Sequence, residues 1–99
     1  MIAFERVGER LQAAVHTELT IYQVAELHSA ASPWLAQPCD WALDLDEVPE
    51  IDGAGLQWLL HLYHQLRASG HALSVTQASA CVAEAMRLCP TALASPACP

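Results

Sequence analysis

Five carboxylates crowd the stretch LDLDEVPEIDGAGLQWLL, residues 43–60: Asp44, Asp46, Glu47, Glu50 and Asp52. Acids at this density can hold a metal ion, act as nucleophile and general acid, or form a charged rim that another protein reads. Calcium is excluded by spacing. Counted from Asp44, the fifth and sixth positions are Val48 and Pro49, where a calcium loop needs an acid and a glycine. Zinc is no better served: Cys39, Cys81, Cys89 and Cys98 contain no C-x-x-C pair. His61 and His64 lie three apart on one predicted helix and could share an ion, but they read more simply as two solvated side chains. No serine sits in a G-x-S-x-G elbow, and local sequence suggests no Cys–His pair.

One catalytic match remains. DLDEV fits the D-x-D-x-[TV] loop of haloacid-dehalogenase-type phosphatases, with Asp44 in the nucleophile's place and Asp46 in the general acid's. The chain is short, has no lysine, and offers no later pair of acids to hold magnesium, all of which weigh against that chemistry. No catalytic residue, metal or cofactor is therefore assigned, and the protein is expected not to be an enzyme.

Composition narrows the partner. Ninety-nine residues allow one hydrophobic core and one domain, 1–99, with a frayed tail over 91–99. A chain that is 54% hydrophobic and 15% charged is globular in composition. Its apolar runs are shorter than a membrane span, and MIAFERVGER lacks the apolar centre of a signal peptide, so a soluble cytoplasmic protein without membrane insertion is expected. All four basic residues are arginine, and the net charge is −7. Nucleic acid and anionic membrane surfaces would repel such a chain, whereas a protein with a basic face would attract it. The missing lysine also removes Walker-type phosphate binding and Schiff-base chemistry. The cysteines are expected to be reduced, with Cys81 or Cys89 filling small core positions.

The elements that position the acids follow from pattern. IAFERV and RLQAAVH around Gly8-Glu9 predict a hairpin over 2–7 and 10–16. Thr20 and Gln23 form a capping-box pattern, predicting a helix from Ile21 to about Ala31 with Val24, Leu27 and Ala31 inward and Pro33 as its stop. WALDL, 41–45, predicts a buried strand. Asp52 is placed to cap a helix from Gly53 to about Ser69 that closes on Gly70. HALSVT, 71–76, predicts a strand, and Ser79 can cap a last helix with Val82, Ala85, Met86 and Cys89 on one face, ended by Pro90. The order β-β-α-β-α-β-α implies an α/β fold, a small mixed sheet covered by helices.

Within the helix after Asp52, Leu56, Leu59, Leu60, Tyr63 and Leu66 form a core-facing stripe. Trp58 and Leu62 lie to one side of it. They either widen the core face or present an aromatic anchor of the kind that dominates protein interfaces. Gly53, Ala54 and Gly55 let another backbone or side chain approach the helix start closely.

ALDLDEVPEIDGAGLQWLLHLYHQLRASGHALSVTQAS resembles the core of STAS domains, the sulfate-transporter and anti-sigma-factor-antagonist family. The matching positions are Asp44, Leu45, Val48, Ile51, Asp52, Ala54, Gly55 and Leu56, with LTIYQVAEL similar to the family's entry into its first helix, and the likeness runs from about 2 to 90. The resemblance implies a protein-binding module of the stand-alone bacterial type, acting in signalling. Its partner surface would be the turn and the helix after it, here Asp52, Gly53, Ala54 and Gly55 with Trp58 and Leu62. In antagonists the residue after the aspartate is a serine or threonine that a partner kinase phosphorylates; here it is Gly53, so the usual switch has no hydroxyl to act on. The resemblance leaves several partners open: an anti-sigma-type kinase, a two-component or chemotaxis-type signalling protein, or the ATPase of a phospholipid-trafficking ABC transporter of which this chain would be a subunit. A homodimer using the Trp58 strip is a further arrangement.

Overall fold

A computed structural model describes residues 2–37 and 39–87. The expectations for Cys89, Pro90 and the 91–99 tail lie outside those residues. The elements are β1 (Ile2–Val7), β2 (Arg10–Val15), α1 (Val24–Leu35), β3 (Asp40–Leu45), α2 (Gly53–Ala68), β4 (Leu73–Ala78) and α3 (Ala80–Arg87), in the order expected. The strands lie side by side as β1-β2-β3-β4. β1 and β2 are antiparallel, while β2, β3 and β4 run parallel. Gly8 turns the hairpin at φ +64°, and Glu9 keeps a negative φ, the requirement of a two-residue connection whose first position alone is left-handed.

Two parallel crossovers advancing the same way across a sheet, each right-handed, put their helices on the same face. The burial pattern agrees. Leu11, Ala13 and Val15, then Trp41, Leu43 and Leu45, then Leu73 and Val75, all join one core cluster with Leu27 and Ala31 of α1, Leu59 and Leu66 of α2, and Val82 and Met86 of α3. Phe4 brings the edge strand into this core, stacking on Trp34 at 5.2 Å and meeting Trp41 edge-on at 5.8 Å. Trp41 Nε1 is buried with no hydrogen-bond partner among the described residues. Cys39 is buried and Cys81 half-buried, both as free thiols. No described helix is long and apolar enough to cross a membrane.

Three local expectations are corrected. The first helix starts at Val24, not Ile21, and its N-cap Gln23 makes no side-chain bond. Thr20 does not build a capping box, because its hydroxyl donates to Glu18 at 2.9 Å and the Gln23 amide it would have accepted donates to Thr20 O instead, also at 2.9 Å. Pro33 lies inside α1, which continues to Leu35. One missing donor in the last turn is tolerated where the Trp34–Phe4 stack holds that turn against the sheet. Third, the inward face of α2 is Gly55, Trp58, Leu59, Leu62 and Leu66, while Leu56, Leu60 and Tyr63 are only half-buried.

That third correction has a cause in one residue. A β-carbon on residue 55 would overlap the carbonyl oxygen of Leu19 and sit 2.6 Å from its carbonyl carbon. Only glycine permits the approach. With Gly55 locked inward, helical spacing brings 58, 59, 62 and 66 inward with it. Trp58 is 6% exposed and Leu62 fully buried, so the exposed anchor expected of them does not form. Trp58 instead spans the helices, its Nε1 donating to His28 Nδ1 of α1 at 3.3 Å. Trp58→Ala is accordingly expected to cost about 3–5 kcal/mol of unfolding free energy, in the range of a core truncation. Urea denaturation beside Leu59→Ala measures it, and a loss under about 1 kcal/mol would return Trp58 to the surface.

Candidate protein-binding surface

The start of α2 is held by one carboxylate that serves two segments. Asp52 Oδ1 accepts the amide of Gly55 at 3.0 Å, capping the helix, and Oδ2 accepts the amide of Ile21 at 3.0 Å from across the chain. Beside it, Leu19 and Ile51 form an isolated parallel bridge. Leu19 N–H donates to Glu50 O at 2.8 Å, and Asp52 N–H donates to Leu19 O at 3.1 Å. The amide of Gly55, then that of Ile21, hold the Asp52 carboxyl below the ordinary aspartate range.

This latch fixes what the surface displays. Thr20 O accepts the amides of Gln23 and Val24, closing a turn over 21–23 before the helix begins. Ile21 and Tyr22 ride on that turn at 60% and 82% exposure, and with Val7 they are the large apolar side chains left in solvent among the described residues. Gly53 is exposed next door, and a side chain added to it would meet nothing within 4 Å. Ala54 and Asp52 are half-buried. Glu26 is exposed in the first turn of α1, and Glu50, whose carbonyl accepts the Leu19 amide, is exposed beside the bridge.

Of the six residues singled out by sequence, Asp52, Gly53 and Ala54 gather at this surface. Gly55 faces Leu19, so the backbone that approaches it closely is the chain's own. Trp58 and Leu62 are in the core. Ile21 and Tyr22 were missed, although a cue existed for one of them: the phase that turns Val24, Leu27 and Ala31 inward points residue 22 away, while residue 21 falls near the inward face and carried no such signal.

The remaining acids behave as local structure. Asp44 Oδ1 accepts the amide of Asp46 at 2.9 Å, so the pair closes a turn at the end of β3. Glu47 lies 3.4 Å from His16, both well exposed. Among the described residues, no three of His, Cys, Asp and Glu come together in a way that could hold a metal. His61 and His64 are both exposed, the former packing its ring 5.5 Å from His28.

The family model described as "Mlab, STAS domain" matches residues 2–90. No curated protein matches the chain. Among solved structures, a protein described as an anti-sigma factor antagonist from Thermotoga maritima superposes with a TM-score of 0.81 at 17% identity, covering 88% of this chain and 76% of its own. The anti-sigma factor antagonist SpoIIAA, in its unphosphorylated form, superposes with a TM-score of 0.75 at 15% identity, covering 89% and 79%. At these identities the two structures show a shared fold.

The Asp52 latch makes a pH-dependent prediction. A carboxyl held low in the folded state stabilises the fold at every pH above its ordinary value of 3.8, and that contribution is lost as pH falls through the folded value. Asp52→Ala should lower Tm by about 5 °C at pH 7, a typical loss for a cap in a domain of this size. The gap to wild type should narrow as pH falls below 3.8. Thermal melts across that range measure it, and a constant gap would mean that the charge is not what matters.

Proposed function

This chain belongs to the STAS domain family, and on that footing we propose that it is a non-enzymatic protein-interaction module of the anti-sigma-factor-antagonist type, acting in bacterial signalling from the cytoplasm. The observation that carries the proposal is the exposed Ile21–Tyr22 pair beside the open start of α2, held there by Asp52. A protruding aromatic and a branched aliphatic side chain supply the anchor that Trp58 cannot, and the net charge of −7 favours a partner cleft with a basic rim. Asp52, Gly53 and Ala54 form the floor of the contact.

Gly53 makes the surface constitutive. Phosphate at this place would add close to two negative charges at a helix N-terminus and change the interface at a stroke. Glycine accepts no phosphate, so control of binding falls to the partner or to the amount of this protein. The site nevertheless has room for a hydroxyl side chain. Gly53→Ser should therefore fold normally and become a substrate for an anti-sigma-type kinase with ATP, while wild type stays unmodified at residue 53. Mass spectrometry reads both, and phosphate on another residue of wild type that releases a partner would replace this account.

A second reading places the same surface against the ATPase of a phospholipid-trafficking ABC transporter, with this chain as a regulatory subunit. The family description, which names Mlab, is what favours it. Capture from the native lysate separates the two: a kinase, two-component or chemotaxis-type protein supports the first, and an ABC ATPase the second. In either case Tyr22→Ala should weaken the captured complex on the order of tenfold to thirtyfold, the loss of an aromatic anchor contributing about 2 kcal/mol. The measurement is a titration with the purified partner. Unchanged affinity would move the interface elsewhere.

A further inference from the structure

Among the described residues, no helix lies on the sheet face turned away from α1 and α2. Alternation along the strands puts Ala3 and Glu5 of β1, Gln12 and Ala14 of β2, and Ala42 and Asp44 of β3 on that side, opposite the buried set. They line a depression of about 580 Å³. Its floor is alanine: Ala3 pairs with Ala14, and Ala42 is only 5% exposed although no described element lies over it.

The charge on this face is unbalanced. Arg10 is the cation that the face carries, and its register partner is Asp40. The pair attract one another, Arg10 adding to the Ala72 amide and His71 in holding the Asp40 carboxyl low. Glu5 and Asp44 are left without a described ion pair, Asp44 spending one oxygen on the Asp46 amide. They stand two strands apart and offset along the sheet, roughly 10–12 Å between α-carbons from strand spacing and rise. That separation matches the 10–12 Å or so that an α-helix occupies with its side chains.

We propose that this trough is a second docking surface, for a cationic amphipathic helix of a protein partner. The alanine floor lets a helix presenting small or medium apolar side chains settle close to the sheet, and lysine or arginine on its two flanks reaches Glu5 on one side and Asp44 on the other. The helix would add a third layer to the two already present, opposite the α1 and α2 layer. Anionic ligands are turned away by the same two carboxylates. The surface is independent of the Ile21–Tyr22 turn, so one chain can hold two proteins at once.

The test uses the full chain, labelled with nitrogen-15, and a synthetic amphipathic helix with alanine and leucine on one face and lysine on both flanks. Binding should shift the amides of Ala3, Gln12, Ala14, Ala42 and Thr76 and leave Ile21 and Tyr22 unmoved. Glu5→Lys should raise Kd at least tenfold with the fold intact, added salt should weaken binding, and a peptide with glutamate in place of lysine should not bind. Tyr22→Ala should leave Kd unchanged, which keeps failure here distinct from failure of the partner surface proposed above. Shifts confined to the 21–22 turn, or equal affinity for Glu5→Lys, would overturn the proposal. So would a concentration-dependent dimer abolished by Glu5→Lys, which would assign the face to a second copy. Movement of the same amides on deleting residues 88–99, without peptide, would assign it to the chain's own end.

Discussion

The carbonyl of Leu19 occupies the space that any side chain on residue 55 would need, and the arrangement of the surface around the start of α2 depends on that contact. It sets the rotation of α2 and so decides which leucines are core. It also brings the segment before α1 close enough for Asp52 to accept amides from both sides. Asp52 takes up Ile21 N–H while Thr20 O accepts the amides of Gln23 and Val24, and the turn so formed holds Ile21 and Tyr22 in water. A glycine that contributes no side chain thus helps determine which side chains of its neighbours are exposed.

The acids that first suggest catalysis divide their labour. Asp44 ends a strand, Asp52 joins a helix to a loop, and Asp46, Glu47 and Glu50 remain in solvent. None of these roles needs a perturbed carboxylic acid of the kind that general acid catalysis uses. They do give the molecule a strongly negative approach to its partners, and with no lysine to interrupt it the field is long-ranged at low salt. Such a field speeds the first encounter more than it strengthens the final complex.

Element order and type were legible in the sequence because each strand and helix carries its own period and its own punctuation. Asp52 as a cap and Gly70 as a helix terminator were readable for the same local reason, and Gly70 adopts φ +82° in the position foreseen. What sequence could not supply was anything decided by a partner far along the chain. Thr20 and Gln23 satisfy the local rule for a cap, but the Gln23 amide turns back to Thr20 O, in a turn whose next residue is tied to Asp52 far along the chain. The leucine stripe of α2 is ambiguous by about one position, since apolar residues nearly encircle the helix, and only the encounter of Gly55 with Leu19 resolves it. Trp58 was therefore read as an exposed side chain when that contact turns it into the core.

The bridge between Leu19 and Ile51 joins residues 32 positions apart, across an entire helix and strand. The sheet closes loops of the same order, from Arg10 to Asp40 and from Trp41 to Leu73, so the entropy of closing the latch is close to that of pairing two of its strands. The segments before α1 and before α2 are thereby tied together as neighbouring strands are, through main-chain hydrogen bonds in both directions. Length or sequence added to one of these loops must be absorbed by the other, so the turn that carries Ile21 and Tyr22 and the start of α2 change together.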